Sequence, residues 1–340
     1  MRPFNKGFAS SYGIEDVWNT VVAVSWFNRT DRSARLSQLF GPYVPIFAEF
    51  LKPWRLNTPY PYRYPFGFVQ TLRRVLRKGV PYVAVSQNAE GIMGLAGQFR
   101  MSDFPSVLVL SAGGYGHVAL PLFHTAGKDI SWIQKSVEDS MTKQAKREPV
   151  GRRKYFVSFV GTMGHSPRNM RQEMKNVSED FLKSHDTRGR GVAFEHFSGP
   201  GSAVQWESIM FQSRFSLVPR GYGRTAFHLV EAIHRGLIPV YIYLDQPWLP
   251  YPHLYETFGY STGISDLPRL LKKLNAMTDD EITAGESAVA AFARSHFTDE
   301  AVIEQMKAFL LGGPTDLVCQ KLPESVTGKG TNNSAGVWAQ

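Results

Sequence analysis

The residues best suited to chemistry gather in RFSLVPRGYGRTAFHLVEAIHRGLIPVYIYLDQPWLPY (214–251). A strand, Arg214–Val218, runs into Pro219, Arg220, Gly221, Tyr222, Gly223 and Arg224. Thr225 reads as the N-cap of a helix that reaches Arg235, with Gly236 as its stop, and the next strand ends at Asp245. This spacing brings a helix N-terminus, two arginines and two permissive glycines to one end of a sheet. Such an arrangement suits a diphosphate, because backbone N–H groups attract the anion and guanidinium forks grip its oxygens. Within the helix, Phe227, Val230 and Ile233 share one face, while His228 and Glu231 lie on the other, with Arg224 one turn before. Glu231, about two turns in, reads as an acceptor for ribose hydroxyls. Loop arginines are also commonly just solvated charges, and spacing alone leaves both readings open. GYGRTA lacks the third glycine of a dinucleotide fingerprint, and no GxxxxGK[ST] run exists, which argues against a mononucleotide-fold kinase.

The elements that must hold these residues alternate along the chain. Strands are expected at Val21–Ser25, Tyr82–Gln87, Val107–Ser111, Tyr155–Val160, Val192–Phe197, Arg214–Val218 and Leu237–Leu244. Each is short, apolar and β-branched or aromatic, as strands buried on both faces are. Helices are expected at Phe68–Lys78, Trp132–Gln144, Arg168–Ser184, Thr225–Arg235, Ile264–Ala276, Asp280–His296 and Glu300–Leu311, with a capping box at Thr278-Asp-Asp-Glu281. The alternation predicts an α/β fold built on parallel sheets. The basic stretch KQAKREPVGRRK (143–154) reads as a solvated connection, dividing a domain at 1–150 from one at 151–312. Residues 313–340 read as a flexible tail.

Length and composition set the outer limits. At about 150 residues per domain, 340 residues predict roughly two domains. Lys+Arg total 38 against 29 Asp+Glu, a net charge of +9, which favours an anionic partner. The basic residues are scattered or lie in the connection, and no nucleic-acid module is present, so nucleic acid is not the expected partner. The single Cys319 excludes internal disulfides and cysteine-based zinc sites. Neither D-x-D nor HExxH occurs, and no metal site is expected. The longest apolar runs fall far short of the roughly 20 residues a bilayer needs, and the N-terminus lacks a signal-peptide core. As given, the chain reads as soluble and cytoplasmic.

The stretch SRFSLVPRGYGRTAFHLVEAIHRGLIPVYIYLD resembles the signature of exostosin-like glycosyltransferases: S-x-F-x-L-x-P-x-G, then S-x-R-x-x-E-A, then G-x-I-P-V and a following Asp. Ser213, Phe215, Leu217, Pro219, Gly221, Glu231, Ala232, Gly236, Ile238, Pro239, Val240 and Asp245 match, whereas Ala226 and His228 stand where the pattern has Ser and Arg. FVGTMGHSPRNMRQEM (159–174) resembles the same family's strand-end F-x-G segment with its arginine-bearing helix, which brings in Gly161, Arg168 and Arg171. The resemblance covers about residues 155–250. It implies a GT-B fold of two Rossmann-like domains facing a cleft. It also implies inverting transfer from a nucleotide-sugar, UDP foremost, to a glycan or glycoprotein hydroxyl, and a Golgi lumen setting if an anchor precedes the chain.

On that reading, the diphosphate charge that a cation normally offsets falls to Arg168, Arg220, Arg224 and helix N-termini, without a cofactor. Inversion needs a base for the acceptor proton. Glu90 in QNAEG and His117 in GGYGH each follow a strand and border glycines; each reads equally as a surface carboxylate or a loop-anchoring histidine. Asp245 would orient the donor sugar, and Tyr115, Trp248 and Tyr251 would stack on sugar rings unless they are packing. A sugar- or nucleotide-binding partner without turnover is the competing class, kept open by His228. A retaining transferase or phosphorylase is the rival within enzymes.

Overall fold

A computed structural model describes residues 13–22, 35–48, 50, 67–88, 92, 104–123, 147–197 and 202–320. They fall into two compact units. The first takes residues up to 132 together with 248–251 and 299 onwards; the second takes 133–247 and 252–298.

The first unit opens with α1 (Gly13–Val17), which continues as a π-helical turn, Trp18–Val22. This turn replaces the start of the strand expected at Val21–Ser25; residues 23–25 lie outside the described residues, as do Glu90 and the helix expected at Trp132–Gln144. Polar anchors override the apolar pattern there. The buried Glu15 carboxylate accepts from Phe50 N (2.6 Å) and Gln87 N (2.7 Å), and Trp18 Nε1 donates to Ile46 O (3.0 Å). There follow α2 (Ser37–Phe40), β1 (Val44–Ile46), α3 (Phe68–Val75), β2 (Tyr82–Ser86), β3 (Val107–Ser111) and β4 (Val118–Ala119). The strands form one parallel sheet in the order β1-β2-β3-β4.

The second unit contains β5 (Tyr155–Val160), α4 (Met170–Ser184), β6 (Gly191–Glu195), α5 (Ser202–Met210), β7 (Ser213–Pro219), α6 (Phe227–His234), β8 (Pro239–Tyr243), α7 (Pro252–Tyr255), β9 (Tyr260–Gly263), α8 (Leu267–Ala276) and α9 (Asp279–His296). Its parallel sheet runs β6-β5-β7-β8-β9, with β7 buried along its whole length. The last helix, α10 (Asp299–Leu311), belongs to the first unit. The chain is thus an α/β protein with two parallel sheets, as its alternating pattern predicts. Among the described residues no helix is long and apolar enough to cross a membrane.

Local signals hold where backbone chemistry decides. Thr278 Oγ1 accepts from Glu281 N (3.2 Å) while Thr278 N donates back to Glu281 Oε2 (2.7 Å), completing the capping box. Gly236, at φ 63°, closes α6: its N–H reaches Ile233 O (2.9 Å) and Leu237 N reaches Ala232 O (3.0 Å). Two expectations need correcting. Residues 147–153 are solvated only in part: Glu148, Pro149, Gly151 and Arg152 are exposed, but the Arg147 and Arg153 side chains are buried against Glu286 of α9, at 3.2 and 2.5 Å. Residues 313–320 are packed rather than a loose tail: Asp316 N donates to Gln305 Oε1 (2.8 Å) and Gln320 N to His117 O (2.7 Å).

His234, fully buried under α9, gives the fold a pH dependence. Burial pushes its ring down to about 4, although Nε2–H donates to Phe297 O at 2.6 Å. The folded state holds it neutral while the unfolded chain takes a proton below about 6.5, so stability is lost as pH falls through the window from about 6.5 to about 4. At 1.36 kcal/mol per pKa unit the loss from this one group is about 3 kcal/mol. Denaturant titrations at pH 7 and pH 4.5 should therefore show a flatter pH dependence for His234→Gln than for the wild type. Parallel profiles would remove His234 as the cause.

Candidate functional site

β5 and β7 are neighbours in the middle of the second sheet, and the loops that leave their carboxyl ends lie side by side. Gly161 follows β5, and its lack of a side chain makes room for the Phe159 ring, which a Cβ there would meet at 2.7 Å. The loop then passes Ser166, whose Oγ accepts from Arg171 N (3.2 Å), and a 3₁₀ turn, Pro167–Asn169, into α4. Pro167 takes the first position of the turn, but Arg168 and Asn169 adopt left-handed φ of 53° and 52° before the α-helix starts. Arg168 is exposed.

Arg171 stitches the two loops together. Its Nε donates to Arg220 O (3.2 Å) and its Nη1 to Thr162 O (2.5 Å), with the guanidinium 5.1 Å above the Phe159 ring. Only 7% of the residue is exposed, and it forms no ion pair with the described residues. Burial accordingly drags its pKa down to about 10, the nearby Tyr222 phenol opposing the shift. Other buried arginines of this unit have carboxylates: Arg147 and Arg153 on Glu286, Arg214 on Asp279 (2.7 Å). A guanidinium withdrawn from water without a carboxylate carries a charge for which an anion is the natural counterpart.

The loop after β7 is organised by Asp245. Arg220 Nη1 donates to Asp245 Oδ1 (2.8 Å), and Arg224 reaches Oδ2 through Nε (3.1 Å) and Nη2. Arg220 also donates to Gly223 O (2.9 Å) and Tyr222 O (3.2 Å), curling the loop around its own side chain. The Tyr241 hydroxyl donates to Arg224 O, and Gly221 N donates to Thr225 O (3.0 Å). A Cβ on Gly221 would meet Thr225 O at 3.3 Å and stand 3.7 Å from Arg171 Nη2, so the glycine keeps that nitrogen uncovered. Burial would raise the Asp245 carboxyl, but the Arg224 hydrogen bond and the Arg224 and Arg220 charges outweigh it and hold the group below its ordinary range. Two cations grip one carboxylate whose side chain remains 43% exposed.

The structure therefore brings Gly161, Arg220, Gly221, Gly223, Arg224, Thr225 and Asp245 together at one sheet edge. Several expected details change. Thr225 does not cap α6; Ala226 holds that position, and no side chain caps the helix. His228 has Glu231 as its neighbour, as expected, but it is buried: its Nε2 lies 3.2 Å from Ser216 Oγ, and its ring meets Phe159 and Trp206 edge-on. Glu231 is half-exposed, 3.6 Å from His228 Nδ1. Arg220 and Arg224 have Asp245 as their charged partner, a pairing that sequence spacing did not reveal. In the first unit, Trp248 and Tyr251 are wholly buried, Trp248 Nε1 donating to Ser111 O (3.1 Å), so neither presents a face to a sugar. Tyr115 packs against the core of that unit. His117 Nδ1 accepts from Val109 N (2.9 Å) while burial lowers its pKa, so the neutral ring carries its proton on Nε2. As placed, that ring is a donor, without the free lone pair a base needs. Among the described residues no three His, Cys, Asp or Glu side chains gather as a metal site.

No protein-family model matches the chain, and no curated protein matches it. Solved structures that align with it include the crystal structure of TarM, at 9% identity over 72% of this chain and 57% of that one, with a TM-score of 0.34. WaaG, a glycosyltransferase involved in lipopolysaccharide biosynthesis, aligns at 14% identity over 76% of this chain and 70% of its own, TM-score 0.38. The GtfA/B complex aligns at 12% identity over 72% and 59%, TM-score 0.32. The chain spans less than two thirds of the lengths of TarM and of the GtfA/B chain.

The Asp245 clamp makes a direct prediction. Asp245→Ala strands two buried guanidiniums and should cost about 1–3 kcal/mol, with water reaching the vacated position and limiting the loss. Inorganic phosphate should raise the melting temperature of this variant by more than it raises that of the wild type. A variant as stable as the wild type without phosphate would show that the clamp is ornamental.

Proposed function

We propose that the chain is a glycosyltransferase that moves a sugar from a nucleoside-diphosphate donor, UDP in the first instance, to a glycan hydroxyl with inversion. One observation supports it above all: Arg171, buried and without a carboxylate partner among the described residues, stands beside the Arg220–Asp245–Arg224 cluster at the carboxyl edge of a parallel sheet. Three guanidiniums against one carboxylate leave 3 − 1 = +2 at the place where open α/β sheets bind ligands. The motif resemblance over residues 155–250 points to the same chemistry.

In the reaction, the anomeric C–O bond to the diphosphate breaks as the acceptor oxygen bonds to the opposite face of the sugar. The acceptor's proton passes to a base, and the electron pair leaves with the diphosphate, whose growing charge Arg171 and the clamped arginines stabilise. We assign the base to Glu90 over His117, since the His117 Nδ1 lone pair is taken by Val109 N–H. Because the arginines supply the charge, no divalent cation enters the scheme. Glu231 serves the ribose hydroxyls. A second reading, donor binding without turnover, draws on His228, which is buried against Ser216 where the resembled pattern has an arginine.

Calorimetry with UDP on the full chain tests the donor reading. Arg171→Gln should lose about 2–4 kcal/mol of UDP affinity, the worth of a buried site donor. Glu231→Gln should lose about 1.5–3 kcal/mol if it serves ribose, and under about 0.5 kcal/mol if it is only a surface charge. Unchanged UDP affinity in Arg171→Gln would remove the site. A panel of UDP-sugars, with released UDP as readout, should give turnover that persists in excess EDTA and is abolished in Glu90→Gln. Loss with chelator and return with Mn²⁺ would overturn the charge argument. Binding without any turnover would favour the second reading.

A further inference from the structure

We propose that His165 and Tyr222 form the stacking platform for the nucleobase of the donor, an assignment that rests on the donor reading above. Their rings stand 5.0 Å apart at 34°, one from each of the two loops that leave β5 and β7. Both residues are exposed, Tyr222 by 41%, in a unit whose other described Phe, Tyr and Trp residues are all buried or half-buried. Two aromatic rings left in water at a sheet's carboxyl edge give a third flat ring a ready apolar surface.

Three features make this a built surface rather than two stray side chains. The loops that present the rings are the ones Arg171 binds together through Thr162 O and Arg220 O. Tyr222 is held by its backbone, its carbonyl accepting from Arg220 Nη2 (3.2 Å), and Arg220 is itself fixed by Asp245. The Tyr222 phenol is near enough to Arg171 to act on it electrostatically. A ligand that stacks on the pair therefore lies within reach of a guanidinium lacking a carboxylate. That combination, a flat ring joined to an anionic group, is a nucleotide; a neutral glycan would use the rings and leave the charge unanswered. Admitting a ring between the two would need about 7 Å, twice a stacking distance, so the base stacks on an outer face of the pair. Stacking tolerates any base, so the platform supplies affinity while leaving base identity to other contacts.

The test is calorimetry on the full chain with two probes, UDP and inorganic pyrophosphate. Tyr222→Ala and the double variant with His165→Ala should weaken UDP binding about 10- to 100-fold, the usual worth of one stacked base, and leave pyrophosphate affinity unchanged. Tyr222→Phe, which keeps the ring, should recover most of the UDP affinity that Tyr222→Ala loses. Melting temperatures close to wild type are expected for all three, because the replaced rings are exposed. If the variants bind UDP as tightly as the wild type, or lose UDP and pyrophosphate alike, the platform assignment is overturned while the donor reading stands. If the wild type binds neither probe, the donor reading itself fails and the platform with it.

Discussion

Everything at the carboxyl edge of the second sheet depends on the grip of Arg220 and Arg224 on Asp245. Two guanidiniums in a nearly dry setting repel each other and lose their hydration, so neither would stay without a carboxylate between them. Asp245 supplies it from the end of β8, and the cost is met by five or more hydrogen bonds that also close the loop after β7. Loop shape and charge are thus one problem with one solution. The curl that places Tyr222 outward and Gly221 beside Arg171 follows from Arg220 donating to the Tyr222 and Gly223 carbonyls.

Arg171 completes the arrangement by a different route. Its donors go to carbonyls, Thr162 O and Arg220 O, which satisfy hydrogen bonding without cancelling charge. The contrast with Arg147 and Arg153 is instructive. They share Glu286, so each has a carboxylate within reach, and that pairing fastens residues 147–153 to α9. A guanidinium set against a carboxylate holds a fold together, whereas one whose donors go to carbonyls alone keeps its charge for a ligand. On this view the second unit contains both kinds, at separate places, built from the same residue type. The arginine cluster lies in the second unit; in the first, the buried Glu15 carboxylate accepts from backbone N–H groups at Phe50 and Gln87.

Much of this was legible along the chain, and the reasons are local. YVAVS, VLVLS, YFVSFV and RFSLV are parallel strands covered on both faces, so they form mostly apolar runs broken by a few serines and Arg214, and their bounds match within a residue or two. Thr278 with Glu281, and Gly236 after α6, act through backbone groups within four residues, so type and spacing suffice to identify them. The edge strands β1, β4 and β9 escaped because they are two to four residues long and only partly buried or too short to show a pattern. The sequence by itself also determined that arginines, glycines and Asp245 would meet at one sheet edge, since strand–loop–helix order forces it. Which arginine faces which carboxylate was decided by the tertiary structure alone. So was the inward turn of His228, the burial of Trp248 and Tyr251, and the charge left on Arg171. Each depends on what another strand or helix, dozens of residues away, brings within 3–4 Å, and no spacing along one segment encodes that distance.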